Sequence, residues 1–125
     1  MSDFEKFETN VIKQIITEDS TIAEKLLLQY KSAKVIKREF TGVGFYTDFE
    51  IQDKSTVILT DFNSELGSLH VTLPELKYGI GFVLFIRNGF ISLLEGYTYG
   101  EEQWPDNITE YTFYKVNEDG TIQAL

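Results

Sequence analysis

The sequence predicts an α+β domain: two N-terminal helices packed on one face of a mainly antiparallel sheet of about six to eight strands. Apolar residues recur at helical spacing as far as about residue 32 and alternate at strand spacing from about residue 34 onward. Between two apolar runs stands Asn88-Gly89, the preferred pair for a two-residue hairpin turn. With 125 residues, the chain has the size of one domain, helical over 1–32 and β-rich over 33–125.

Ser2 to about Thr17 carries Phe4, Phe7, Val11, Ile12 and Ile15 at a 3.6-residue period, and Ser2 with Glu5 forms a capping box. The run Thr17-Glu18-Asp19-Ser20 breaks this helix. A second is expected from Thr21, with Glu24 as its capping partner and Ile22, Ala23, Leu26, Leu27 and Tyr30 as its apolar stripe. Val35 to Thr41 reads as a short strand, followed by Gly42 and Gly44, which suit a tight bend or a close approach of strands. Phe45, Thr47, Phe49 and Ile51 then alternate with Tyr46, Asp48 and Glu50. Strands are expected over Thr56–Thr60 and over Gly67–Leu73, the latter ended by Pro74. The hairpin joins Ile80–Arg87 to Phe90–Thr98. If Arg87 opposes Phe90, uninterrupted pairing sets Leu84 against Leu93 and Phe82 against Glu95. Tyr97–Pro105 reads as a loop, Glu110–Val116 as a strand, and Asp119-Gly120 as a turn into a last strand near Ile122.

Composition removes several function classes. There is no Cys and one His, so thiolate nucleophiles, disulfides and multi-histidine metal sites are excluded. No apolar run approaches the ~18 residues needed to span a bilayer. Met1-Ser2-Asp3-Phe4-Glu5 lacks the basic start and apolar stretch of a secretion signal, so a cytoplasmic location is expected. The net charge is −9. Residues 1–40 balance seven acids against seven bases, so the whole excess lies in residues 41–125. That distribution disfavours nucleic acid and anionic membranes and suits a basic protein partner.

Glu95 stands out among the carboxylates, because the uninterrupted register turns it toward the core. A carboxylate there must find a partner or raise its pKa. It is either a general base or ligand anchor in a pocket, or a structural ion-pair partner, with Arg38 as the available cation. His70 alternates with Ser68 and Thr72 on the polar side of its strand, outside any nucleophile motif, and reads as an exposed strand histidine. Asp48 and Glu50 share a strand face but match no metal-loop spacing. No metal or cofactor is expected. The segment 95–105 gathers Tyr97, Tyr99 and Trp104 with Glu95, Glu101 and Glu102. Tyr and Trp dominate binding hot spots and acids orient a basic partner, although Trp104 before Pro105 would equally serve to plug the end of the sheet.

Arg38-Glu39-Phe40-Thr41-Gly42-Val43-Gly44-Phe45 and Leu94-Glu95-Gly96-Tyr97-Thr98-Tyr99, followed by Trp104-Pro105, resemble a small bacterial family of short, acidic, Cys-free chains. Such chains are similar in kind to the immunity proteins of bacterial toxin systems. The strings span about half the chain, counting the hairpin between them. The resemblance implies a non-enzymatic protein that occludes the active site of a basic toxin or nuclease, and it supplies no catalytic residue.

The leading expectation is therefore a binding protein that meets a basic partner through Tyr97, Tyr99, Trp104, Glu101, Glu102, Asp48 and Glu50. The alternative is a small-molecule domain or minor enzyme with a pocket around Glu95 and Arg38. A homodimer formed through an exposed sheet edge is a third class.

Overall fold

The computed structural model describes residues 2–19 and 22–125. Helices α1 (Asp3–Asp19) and α2 (Ala23–Lys31) precede eight strands. These are β1 (Ala33–Phe40), β2 (Gly44–Ile51), β3 (Ser64–Leu66), β4 (Leu69–Thr72), β5 (Ile80–Arg87), β6 (Phe90–Thr98), β7 (Thr112–Val116) and β8 (Ile122–Ala124). They form one antiparallel sheet in the order β1-β2-β6-β5-β4-β7-β8, and β3 shares with β4 the far side of β5. This is the predicted α+β architecture, at the upper end of the expected strand number.

The capping box forms as the sequence implies. Glu5 N donates to Ser2 Oγ and Ser2 N to the Glu5 carboxylate, both at 3.1 Å. Those bonds hold the Glu5 carboxyl below its ordinary pKa. The cap expected at Thr21 lies outside the described residues; Ile22 occupies the N-cap position of α2 and makes no side-chain cap bond. The hairpin turn has positive φ at both Asn88 and Gly89, as a type I′ turn requires. Gly44 lies against the backbone of Gly96, leaving no room for a Cβ, so the close approach of strands is realised there.

The strand expected over Thr56–Thr60 does not form. Asp53 caps a 3-10 turn over Lys54–Thr56, and the following backbone pairs with the hairpin tip. Ile58 N donates to Gly89 O at 3.0 Å, and Gly89 N to Phe62 O at 2.8 Å. With these groups committed to the turn, ladder pairing begins only at Ser64, a strand the sequence pattern did not reveal.

α1 buries Phe7, Val11, Ile12, Ile15 and Ile16 against Phe45, Phe82, Leu84 and their neighbours on one face of the sheet. Each such side chain contributes roughly 1.5–3 kcal/mol through the area it removes from water. Two polar side chains are enclosed with them. Glu8 on α1 is 3% exposed; its carboxylate accepts from Arg38 Nη2 and from Thr47 Oγ1, both at 2.7 Å. Gln29 on α2 is fully buried. Its amide nitrogen donates to Thr56 O at 2.9 Å and Gly89 O at 2.7 Å, while its oxygen accepts from Ile91 N at 2.9 Å. Glu8 thus ties α1 to β1 and β2, and Gln29 ties α2 to the hairpin tip.

Candidate functional site

The hairpin does not pair without interruption. Arg87 opposes Phe90 and Ile86 opposes Ile91, but a bulge then shifts the register, so that Phe85 meets Leu93, Leu84 meets Leu94, Val83 meets Glu95 and Phe82 meets Gly96. One extra residue in β6 reverses the facing of everything beyond it. Glu95 therefore leaves the core side, where Gly96 takes its place beneath the Phe45 ring. This corrects the expected register and removes the expected pocket. Arg38, opposite Thr47, faces the helices and binds Glu8, whereas Glu95 points to the other side of the sheet and accepts from Tyr46 Oη at 3.1 Å. That bond, to a carboxylate, raises the Tyr46 phenol pKa.

On the side away from the helices, the ladder sets out three rows. Asp48, Leu93, Phe85 and Glu65 form one; Glu39, Tyr46, Glu95 and Val83 the next. The third runs Tyr97, Gly81, His70 and Tyr114. Val83, Phe85, Leu93, Tyr97 and Tyr114 are half-buried and Tyr46 is 40% exposed. Apolar side chains in mid-sheet with no helix above them make an open apolar face.

Gly81 is the floor of the aromatic end of this face, since a Cβ there would strike the rings of Tyr97 and Tyr99. Tyr99 meets Tyr97 edge-on at 5.7 Å and hydrogen-bonds His70 Nδ1, and His70 stacks on Tyr114 at 5.1 Å. Burial and neighbouring phenols push the Tyr99 pKa well up. His70 is thus not the exposed strand histidine expected, because the ring-lined floor left by Gly81 draws it into the cluster.

The face is acidic. Lys34 and Lys37 stand opposite Glu50 and Asp48 in the ladder. Among the described residues, the ion pairs nearby are Lys37 with Glu39 and Arg87 with Glu65, each at 3.6 Å. None of Asp48, Glu50 and Glu95 forms an ion pair among the described residues.

The loop after β6 divides the other expected residues. Trp104 is 9% exposed, packs on Phe45 at 5.1 Å, and donates its backbone N–H to Gly42 O at 2.8 Å. It plugs the end of the sheet and cannot be the exposed anchor anticipated. Glu102 is likewise engaged, accepting from Lys77 N at 3.1 Å and Tyr78 N at 2.9 Å. Glu101 stays exposed, with a φ of +56° that a side chain adopts only at a cost of about 1 kcal/mol. The structure thus brings Asp48, Glu50, Glu95, Tyr97 and Tyr99 to one face. Tyr46, Val83, Phe85 and Leu93 belong there too, and the strict alternation of β2 signals the first of them.

No three metal-ligating side chains converge among the described residues, and no described helix is long and apolar enough to cross a membrane. Comparison with known proteins finds no matching family profile, no similar curated protein and no similar solved structure.

Proposed function

We propose that this protein is a non-enzymatic binding module that receives a basic protein on the open face of its sheet. The observation that carries it is the apolar patch of Val83, Phe85, Leu93, Tyr46 and Tyr97, which no helix covers and over which Arg87 reaches only the Phe85 ring. Asp48, Glu50 and Glu95 border it and form no ion pair among the described residues, although Lys34 and Lys37 stand opposite two of them. The apolar centre supplies the desolvated contact and the carboxylates steer encounter and reject acidic competitors. Occlusion of a cationic active-site cleft, as an immunity protein for a toxin or nuclease in the bacterial cytoplasm, is the biological role that fits this chemistry and the resemblance noted above.

The test is retention of protein from the native host's lysate on the immobilised chain. The expected result is one stoichiometric basic protein, released as salt rises. Leu93→Asp should abolish its retention and Glu95→Lys should slow its association about tenfold, both variants keeping the wild-type circular dichroism. Retention unchanged by both substitutions, or an acidic partner, would contradict the proposal.

Glu101 provides a separate check. Glycine at φ +56° carries no steric penalty, so Glu101→Gly is expected to leave the melting temperature unchanged or raise it slightly, while weakening the partner a few-fold. A fall in both quantities would mean that Glu101 serves the fold instead.

A further inference from the structure

A cleft of about 510 Å³ opens on the helix side of the sheet, between the first turn of α1, the β1–β2 turn and the loop 103–108. Phe4, Phe40 and Trp104 line it, and Phe40 is 52% exposed. Asp3 and Asp106 stand at its rim with the amides of Gln103 and Asn107. A second cleft of about 450 Å³ shares the loop from Gln103 to Asn107 and adds Glu75. Among the described residues, no Lys, Arg or His lines either one.

We infer that this aromatic, carboxylate-rimmed cleft is a binding site for a guanidinium group. Three features select that chemistry. The lining offers ring surface and acceptors of one sign, which together suit a planar, weakly hydrated cation better than a compact ammonium. The same aromatic cluster already holds one guanidinium, since Arg38 lies over the Phe4 ring at 5.0 Å while its Nη2 binds Glu8. The positive end of α1, which would otherwise oppose a cation, is answered internally by the Ser2–Glu5 capping box and by Asp3. This cleft and the open face lie on opposite sides of the sheet. A guanidinium arrives either as free arginine or as an arginine side chain of a protein.

Trp104 is the single tryptophan of the chain and lines both clefts, so its indole N–H resonance reports on this loop, and Phe40→Ala, at a residue of the first cleft only, separates the two. The experiment titrates the intact protein with L-arginine, with Nα-acetyl-arginine amide, and with the uncharged analogue Nα-acetyl-citrulline amide. A saturable shift of the indole resonance by an arginine compound is expected, with citrulline at least about tenfold weaker. Tighter binding of L-arginine would identify the free amino acid as the source, and tighter binding of the amide a protein side chain. Asp106→Asn, at an exposed position, should weaken binding about threefold or more without lowering the melting temperature, and Phe40→Ala should weaken it about as much with a modest loss of stability from its edge-on contact with Phe4. No saturable shift, equal binding of citrulline, or unchanged binding by both variants would overturn the assignment.

Discussion

Glu8→Ala is expected to lower the stability of the fold by about 3 kcal/mol, a fall of roughly 10 °C in melting temperature for a domain of this size. Glu8 is enclosed, and its two oxygens satisfy the Arg38 guanidinium and the Thr47 hydroxyl at 2.7 Å each. Removing the carboxylate leaves a cation with its side chain only 22% exposed, and the Thr47 hydroxyl beneath α1 keeps only its bond from Arg38 Nε at 3.3 Å. The penalty comes mostly from what is left unpaired, because taking two charges from water consumes most of their mutual attraction. The double substitution Glu8→Met with Arg38→Met should therefore be less destabilising than Glu8→Met alone. Urea unfolding of the four members of that cycle checks this. A double variant as unstable as the sum of the single ones would show that the two side chains act independently.

Gln29→Ala is expected to have an effect of similar size, about 3–4 kcal/mol. It removes three hydrogen bonds to backbone groups that water does not reach and leaves a cavity in their place. The bonds converge on Thr56, Gly89 and Ile91, so the loss should fall first on the hairpin tip. Amide exchange at Ile91, whose N–H bonds the Gln29 oxygen, should accelerate more than exchange at Leu94. Gln29→Glu offers a sharper control. Its carboxylate would face two carbonyl oxygens, and protonation at low pH would restore a donor toward one of them. That variant should therefore gain stability relative to wild type as pH falls, and constant relative stability across pH would contradict the assigned bonding.

Both of these polar residues were legible in the helical period. Glu8 follows Phe4 by four and precedes Val11 by three, which places it within the apolar stripe of α1; Gln29 follows Leu26 by three on the buried side of α2. A polar residue on such a stripe requires a buried partner. Helix and strand types, the hairpin with its Asn88-Gly89 turn, and the facing of β2 and β4 all followed from period and turn chemistry. What escaped the pattern was set by tertiary pairing. The bulge in β6 has no marker in Ser92-Leu93-Leu94, yet it moves Glu95 from one side of the sheet to the other and dissolves the pocket that uninterrupted pairing implied. The Val57–Leu59 run looks like a strand, but Val57 N closes the preceding turn on Lys54 O and Ile58 N bonds Gly89 O at the hairpin tip. Trp104 satisfied two opposite expectations until its packing on Phe45 decided between them.

The two sides of the sheet thus differ in what covers them. One is closed by α1 and α2 over a core with its polar groups satisfied, and the other keeps large apolar side chains uncovered among carboxylates. Hydroxyl-radical footprinting of the complex with the retained basic partner tests that division most directly, because it reads side-chain exposure residue by residue. Protection of Tyr46, Phe85, Leu93 and Tyr97 is predicted, with Leu28 on α2 and Ile122 on β8, both exposed in the free protein, labelled as before. Protection of Leu28 or Ile122 with the open face still fully labelled would contradict the account.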